Sequence, residues 1–526
     1  MSFVPSKYQQ DIFDWAGAPE GNRVVKALAG SGKTTTGVQM LRVPGMSERS
    51  VQYLAYNKRI ADAIRPQIPI YAEANTLNSF GFRILRQHGS PEMNVNKTEL
   101  MLRKAMGISP DQDIRDLSYG EKNVYYECRT PMSKVISSLK NAGYLKKEVA
   151  DDTLRTICET YDIDEPEVKL QGFYWFDMVR QVWQNSLEEH QIIDFDDQLF
   201  FPIYLDLPIP KSDFVVVDES QDLNAVQVEL TIRAVGGHLL SIGDPNQAIY
   251  AFRGALPHAI QRIVDAFGAK EMCLPICYRC PRAVITEAQR FVPEMECPSW
   301  AADGLVDHMK IGSLEPMLTE DDTVLCRTTH PLVRQCLRLL AKNRPANILG
   351  NDLGKGLATL IRKLRLPNNA DIGTVEETLD AYETKETNRL KEHRRHHQIT
   401  LLRDKAACIK AVAEQAADLP DLLHRIGTLF DDTRRGVLFC TIHKAKGLEF
   451  DRVFIIRPDL LPHPLAKSAE AKRQERNLQY VGITRTKKEL RYVHDPEAEA
   501  KTRQWVARLE EKEKKKEAEK AGVSDE

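Results

Sequence analysis

The chain has 526 residues, enough for roughly three to four domains of ordinary size. Its 42% hydrophobic content supports packed cores, and 73 basic against 75 acidic side chains leave a formal net charge of −2, so no global field draws it to a polyanion. Any nucleic-acid site must be a local groove. No apolar run approaches the roughly eighteen residues of a membrane span, and the start MSFVPSKYQQ lacks a signal-peptide core, so we expect a cytoplasmic protein without a membrane partner, nucleoid-associated or in a host cytoplasm if viral.

In chain order, apolar strand-like runs begin at Arg23 (RVVKAL), Val51 (VQYLAY), Phe214 (FVVVDE) and Leu239 (LLSIGD). A second set begins at Met272 (MCLPI), Thr323 (TVLCR), Val437 (VLFCTIH) and Arg452 (RVFIIR). Near-continuous apolar strands between helical patterns predict parallel sheets covered on both faces, so the expected fold class is α/β with two such domains. Each set is interrupted by a helical stretch, one near residues 90–188 and a highly charged one near 346–434. The tail RLEEKEKKKEAEKAGVSDE predicts a frayed helix or disorder. The cluster Cys273, Cys277, Cys280 and Cys297 could suggest a zinc or iron–sulfur site, but thiols around a strand end and a turn explain it more simply.

The stretch KALAGSGKTTT (Lys26 to Thr36) follows the first strand and opens a helical run. Gly30 and Gly32 allow a sharp turn and close approach of phosphate, and the helix N-terminus adds partial positive charge. Ala29, Ser31 and Thr35 complete the expected cradle. Lys33 can reach the β- and γ-phosphates, and the Thr34 hydroxyl can ligate Mg²⁺. Farther on, a buried strand delivers Asp218 and Glu219 to its carboxyl end, where ligands sit in open α/β sheets. Asp218 is expected to hold Mg²⁺ and Glu219 to deprotonate an attacking water, which points to hydrolysis of ATP. Gln247, after another apolar strand, suits a sensor of the γ-phosphate or its water. Tyr250, Phe252 and Arg253 follow at once and could stack bases.

These groups, in this order, resemble the superfamily 1 helicases of the UvrD/Rep type, over about residues 3–90, 190–345 and 435–495. PSKYQQDIF resembles the Q motif, with Gln9 the expected adenine reader and Gln10 its neighbour. LAYNKRIADAI, with Asn57, and ANTLNSFGFRIL, with Thr76 and Asn78, resemble motifs that contact DNA; the family's Thr-Phe-His-Ser is Thr76-Leu77-Asn78-Ser79 here. DESQD and GDPNQAIYAFRGA are similar to motifs II and III, with Phe252 where the family has tryptophan. ICYRCP implies that Tyr278 stacks on adenine and Arg279 reaches the γ-phosphate. TIHKAKGLEFDRVFI implies DNA contacts at Thr441 and His443, with Gly447 and Glu449 lining the nucleotide cleft. NLQYVGITRTKKEL implies an arginine finger at Arg485.

The resemblance implies two RecA-like motor domains with ATP and Mg²⁺ bound between them. The first would comprise residues 1–89 and 189–270 around an insertion at 90–188. The second would comprise 271–345 and 435–497 around a reduced insertion at 346–434, leaving a charged tail at 498–526. The implied activity is 3′–5′ translocation on single-stranded DNA, with single-strand/duplex junctions as substrates. A protein partner could dock through the second insertion or the tail. Two alternatives remain: an ATPase switch in a larger nuclease, repair or defence assembly, and a P-loop transferase, which leaves Arg279 and Arg485 without a task.

Overall fold

The computed structural model describes residues 3–161, 163, 165–166, 168, 173–249, 256, 258–392, 396–431, 435–466 and 468–520. They form two compact units, Met1–Pro275 and Ile276–Glu526.

The first unit holds β1 (Arg23–Ala27), β2 (Val51–Ala55), β3 (Ala72–Thr76), β4 (Glu92–Met93), β5 (Ile192–Ile193), β6 (Ser212–Val217), β7 (Val235–Gly243) and β8 (Lys270–Leu274). Six of these make one parallel sheet in the order β3-β2-β6-β7-β1-β8. Side chains alternate across it, as strand geometry requires. Val24, Val215 and Val217 join a core shared with the helices of residues 97–188, whereas Val25, Phe214 and Val216 face a second core containing Trp15, Val38 and Tyr53. Both faces are covered, which is why these strands read as unbroken apolar runs.

The sequence placed MCLPI with the second set of strands. Its Met272–Leu274 instead extends β8, whose residues Lys270–Leu274 pair in parallel with Arg23–Ala27. Local pattern identifies a strand but not the sheet it joins. The polar strand β3 (AEANT) was missed for a related reason: it is an edge strand with one partner.

The helical stretch is anchored at both ends. Its entry and exit pair as the short parallel ladder β4–β5. The helix Leu77–His88 then crosses Asp197–Tyr204 so closely that a Cβ on Gly81 would lie 2.0 Å from the Gln198 carbonyl oxygen. A buried charge cluster completes the anchor. Lys97 Nζ sits 2.8 Å from Asp197 Oδ2, while Lys140 Nζ sits 2.7 Å from Asp197 Oδ1 and 2.8 Å from Asp194 Oδ2. The ammonium of Lys97 also donates to the Glu189 carbonyl at 2.7 Å.

The second unit carries β9 (Leu305–Lys310), β10 (Thr323–Cys326), β11 (Ala346–Ile348), β12 (Val437–Thr441), β13 (Phe450–Ile456) and β14 (Thr486–His494). Their order is β11-β12-β10-β13-β14-β9, again parallel throughout. Ala346–Ile348, read as the start of the insertion, is therefore a strand of this sheet. The helices Asn351–Lys363, Ile372–Glu392, His396–Ala413 and Leu419–Leu429 follow it. Leu357, Val375, Ile409 and Ile426 share one core with Val324, Phe439 and Phe454 of the sheet. Asp404, in the helix His396–Ala413, also caps the helix His330–Leu340, accepting from the Thr329 and His330 amides at 2.9 Å each. The tail forms the helix Pro496–Lys520.

Breaking a buried ion cluster costs far more than breaking a surface pair. Asp197→Ala should leave buried Lys97 without its carboxylate and Lys140 with Asp194 alone, and destabilise the first unit by about 3–5 kcal/mol. Urea unfolding followed by tryptophan fluorescence reads this directly; an unchanged midpoint would show that the lysines are hydrated rather than held by Asp197.

Candidate active site

In the first unit, β1 ends at Ala27 and the chain turns through Leu28–Gly32 into the helix Lys33–Met40. Gly30 (φ 71°) and Gly32 (φ 77°) occupy the left-handed region, which glycine enters without a Cβ clash. The Leu28 amide donates to the Leu274 carbonyl, and the Ser31 amide to the Leu28 carbonyl, at 3.1 Å each, fixing the loop to β8 and to itself. Ser31 is only 1% exposed, yet its hydroxyl has no hydrogen-bond partner among the described residues. A buried, unpaired hydroxyl in a glycine-turned loop at a helix N-terminus fits an anion such as a phosphate. Ala29 is buried beside it, and Thr35 is exposed.

Lys33 Nζ lies 3.5 Å from the Ala27 carbonyl and 3.9 Å from Glu219 Oε2. Thr34 Oγ1 donates to Asp218 Oδ2 at 3.2 Å. These residues are far apart in sequence and meet because β6, which ends at Val217, lies two strands from β1 in the sheet. The hydroxyl and carboxylate expected to hold Mg²⁺ are therefore adjacent, and the donor set suits a hard cation.

The sequence did not single out Tyr53, whose hydroxyl donates to the same Asp218 oxygen at 3.2 Å. A signal existed, because a tyrosine in the wholly buried strand VQYLA must find a partner for its hydroxyl. Gly37 leaves room for it: a Cβ there would come within 3.1 Å of the Tyr53 oxygen. Burial, followed by the charge of Asp218, holds the Tyr53 phenol well above its usual range, so it stays a donor.

Asp218 is 1% exposed, and its acidity is shifted to about 6 by burial first and by the charge of Glu219 second, with Lys33 pulling the other way. Glu219 takes a left-handed conformation (φ 53°), a cost of order 1–3 kcal/mol for a residue with a Cβ. Its amide donates to Asp218 Oδ1 at 2.8 Å. Gln221 then links two motifs. Its Nε2 reaches Glu219 Oε2 at 2.5 Å, and its Oε1 accepts from the Asp244 amide at 2.9 Å. Gly243 is required there, since a Cβ would fall 2.7 Å from Gln221 Oε1 and 2.6 Å from Ser220 Oγ. Gln247 is buried and donates to Asp244 Oδ2 at 2.7 Å. Burial raises the Asp244 carboxyl too.

Gln9 is also buried. Its Oε1 accepts from the Ser6 amide at 3.0 Å in a capping box, and its Nε2 donates to Thr36 Oγ1 at 2.9 Å. Gln9 is thus tied to the phosphate-loop helix, whereas Gln10 is exposed and bonds Asp14.

In the second unit, Arg279 Nε lies 2.6 Å from Glu449 Oε2, and Arg279 Nη1 donates to the Thr484 carbonyl at 3.2 Å. Arg485 is 1% exposed; its guanidinium donates to the Val481 carbonyl at 2.9 Å, the Leu448 carbonyl at 3.2 Å and Thr484 Oγ1 at 3.1 Å. Gly447 turns this corner with φ 82°. Tyr278 presents a partly exposed ring stacked on Trp300, with centroids 6.3 Å apart at 16°.

The expected DNA-contacting residues are placed less tightly. Asn57 lies just after β2 and Thr76 ends the adjacent strand β3; both cap helices, accepting from the Ile60 amide at 2.9 Å and the Ser79 amide at 3.0 Å. Asn78 donates to the Phe195 carbonyl at 2.9 Å and Gln198 Oε1 at 3.2 Å. Thr441 closes β12, and half-buried His443 lies in the short helix after it. Tyr250, Phe252 and Arg253 lie outside the described residues. Among the described residues no group of three or more His, Cys, Asp or Glu side chains is arranged to hold a metal, and no helix is long and apolar enough to cross a membrane.

A phosphate loop facing a strand-end carboxylate pair is the arrangement of a P-loop nucleoside triphosphatase. Residues 9–268 match the UvrD/REP helicase N-terminal domain, and residues 369–494 match the UvrD-like helicase C-terminal domain. The chain belongs to the UvrD/REP helicase family, a group of ATP-dependent DNA helicases. It is 23% identical to F-box DNA helicase 1 of Gallus gallus, across 89% of this chain and 47% of that protein. It is likewise 23% identical to F-box DNA helicase protein 1 of Schizosaccharomyces pombe, across 89% and 55%, and to DNA helicase II of Haemophilus influenzae, across 52% and 39%. The chain spans about half the length of the curated relatives it matches.

The burial of Asp218 has a measurable consequence. A carboxyl whose folded value exceeds its unfolded value binds its proton more tightly when folded, so its stabilising contribution is complete below about pH 4 and is lost as pH rises through about 6. At neutral pH the ionised Asp218 therefore costs stability. Asp218→Asn should raise stability at pH 7.5 by up to about 3 kcal/mol, with no gain at pH 4. Urea melts at the two pH values check this. Equal effects at both would show that Asp218 is not strained by burial.

Proposed function

We propose that this chain hydrolyses ATP to translocate 3′–5′ along single-stranded DNA, displacing strands or proteins at single-strand/duplex junctions. The observation that carries this is the convergence of Thr34 and Lys33 on Asp218 and Glu219, which couples a phosphate loop to a carboxylate able to activate water. The reading treats residues 90–188 and 346–434 as insertions in two motor domains.

In this reading Lys33 and the loop residues 29–35 bind the phosphates of the substrate ATP, and Gln9 serves the adenine. Thr34 and Asp218 would hold Mg²⁺, which supplies charge neutralisation to the phosphates. Glu219 takes the proton of the attacking water. Its link through Gln221 to the Asp244–Gln247 pair gives a route by which the loss of γ-phosphate changes the segment after Gln247, which includes Phe252. Arg279 and Arg485 supply positive charge to the transferring phosphoryl group, and Tyr278 a stacking face for the base. Asn57, Thr76, Asn78, Thr441 and His443, with Tyr250, Phe252 and Arg253, are the proposed strand contacts.

The test is ATP turnover with no nucleic acid, single-stranded DNA, duplex DNA and RNA, paired with strand displacement on substrates tailed at either end. Stimulation by single-stranded DNA and displacement only from a 3′ tail are expected. Turnover indifferent to DNA would refute the motor.

Two substitutions probe the chemistry. Lys33→Ala should leave the fold intact and lower turnover at least about a hundredfold. Glu219→Gln should retain ATP in an equilibrium binding assay while hydrolysis nearly stops. Parallel loss of binding and hydrolysis in Glu219→Gln would assign that residue to binding instead.

A further inference from the structure

The turn Cys277-Tyr278-Arg279-Cys280 sets two thiols at C-x-x-C spacing around a proposed phosphate-facing arginine. None of the ten cysteines is in a disulfide, and burial pushes Cys128, Cys326 and Cys440 up to about 12. Cys277 and Cys280 differ. The Cys280 amide donates to Cys277 Sγ at 3.4 Å, which brings the two side chains together in one turn. The Cys277 amide donates to the Glu296 carbonyl at 2.9 Å, which holds the turn against the neighbouring loop. The neighbouring Cys280 side chain, helped by backbone amides and the Arg279 charge and opposed by burial, brings the Cys277 thiol down to about 7.

The pair is wired to both arginines. The Thr484 carbonyl accepts from Cys280 Sγ at 3.7 Å and from Arg279 Nη1 at 3.2 Å. The Thr484 hydroxyl oxygen accepts from Arg485 Nη2 at 3.1 Å.

We propose that Cys277 and Cys280 are a reversible dithiol–disulfide site, oxidised by hydrogen peroxide, whose state sets the positions of Arg279 and Arg485. The expected effect on turnover rests on the function proposed above. The Cys277 thiolate attacks a peroxide oxygen, the O–O bond breaks, and with one proton taken up the products are a sulfenic acid and water. The Cys280 sulfur then attacks the Cys277 sulfur, the S–O bond breaks, and hydroxide leaves with the Cys280 proton as a second water. Two thiols lose two electrons and one peroxide becomes two waters. The disulfide removes the S–H that Cys280 offers to Thr484 and draws its sulfur toward Cys277, so the carbonyl shared with Arg279 is released. Both sulfurs are buried, so the smallest oxidant is the one that suits the site.

The test treats the full reduced chain with hydrogen peroxide, blocks remaining thiols with N-ethylmaleimide, and maps disulfides by peptide mass while following ATP turnover. The expected result is a Cys277–Cys280 disulfide formed before any other cysteine reacts, a several-fold fall in turnover, and recovery with dithiothreitol. Cys280→Ser should keep reduced turnover and lose both disulfide and inhibition. Mass mapping of the unmodified chain decides whether the disulfide forms even where Cys280→Ser folds poorly. Absence of the disulfide, or a disulfide without any change in turnover, would overturn the proposal. A reduced chain with no turnover would instead refute the ATPase, and mass mapping with dithiothreitol reversal would still judge the disulfide.

Discussion

The first unit is organised around one carboxylate that water does not reach. Asp218 stands at the end of β6 and receives Thr34 from the phosphate-loop helix, Tyr53 from β2 and the amide of Glu219. Each contact constrains something else. Tyr53 can reach Asp218 because residue 37 has no Cβ, and the Glu219 amide is presented by a left-handed backbone. Gln221, two residues beyond Glu219, needs a glycine at 243 to bridge to Asp244. The sheet order β2-β6-β7-β1 is what brings these four segments to one edge.

Such an arrangement is unfavourable when judged by stability alone. Two buried carboxyls with raised affinity for protons and one non-glycine residue at positive φ all work against folding. The compensation lies elsewhere in the same sheet, where alternate residues of β1 and β6 feed two separate apolar cores. The buried Lys97–Asp197–Lys140 cluster has a different character. With Asp194 it pairs two ammonium groups with two carboxylates, and it ties the helices of residues 97–188 to the segment Asp194–Asp197, which leads into the helix that packs against Gly81. Thus one set of buried charges is left in tension while the other is neutralised.

What the sequence made legible follows this division. The phosphate loop, Asp218-Glu219 and Gln247 were readable because each motif is contiguous and sits at the end of an apolar strand. Tyr53, Gln221 and Gly243 were not singled out, since their roles depend on register between strands far apart in the chain. Strand membership failed at Lys270–Leu274 for the same reason, and β9 and β14 were missed because neither reads as an apolar run: β9 (LVDHMK) has no fully buried position, and β14 buries only Thr486, Leu490 and Val493 among charged and polar residues. Asn57 and Thr76 show the opposite case. Both precede helices and accept from the amide three residues on, a capping pattern open to view in the sequence, yet resemblance alone had drawn attention to them as DNA contacts.

The second unit solves a matching problem with opposite charge. Arginine cannot shed its proton on burial, so Arg485, at 1% exposure, must be surrounded by acceptors. It lies two residues beyond the helix Ala469–Ile483, and its guanidinium folds back onto the Val481 carbonyl in that helix's last turn. Thr484, the residue that ends the helix, receives Arg279 on its carbonyl and Arg485 on its hydroxyl. The negative pole of a helix C-terminus therefore holds two guanidinium groups that would otherwise repel each other. A helix end that gathers two arginines, one on the carbonyl of Thr484 with Cys280 and the other on its hydroxyl, couples their positions through a single residue. Any change at Thr484 must reach both arginines together, which a pair of independent surface salt bridges could not achieve.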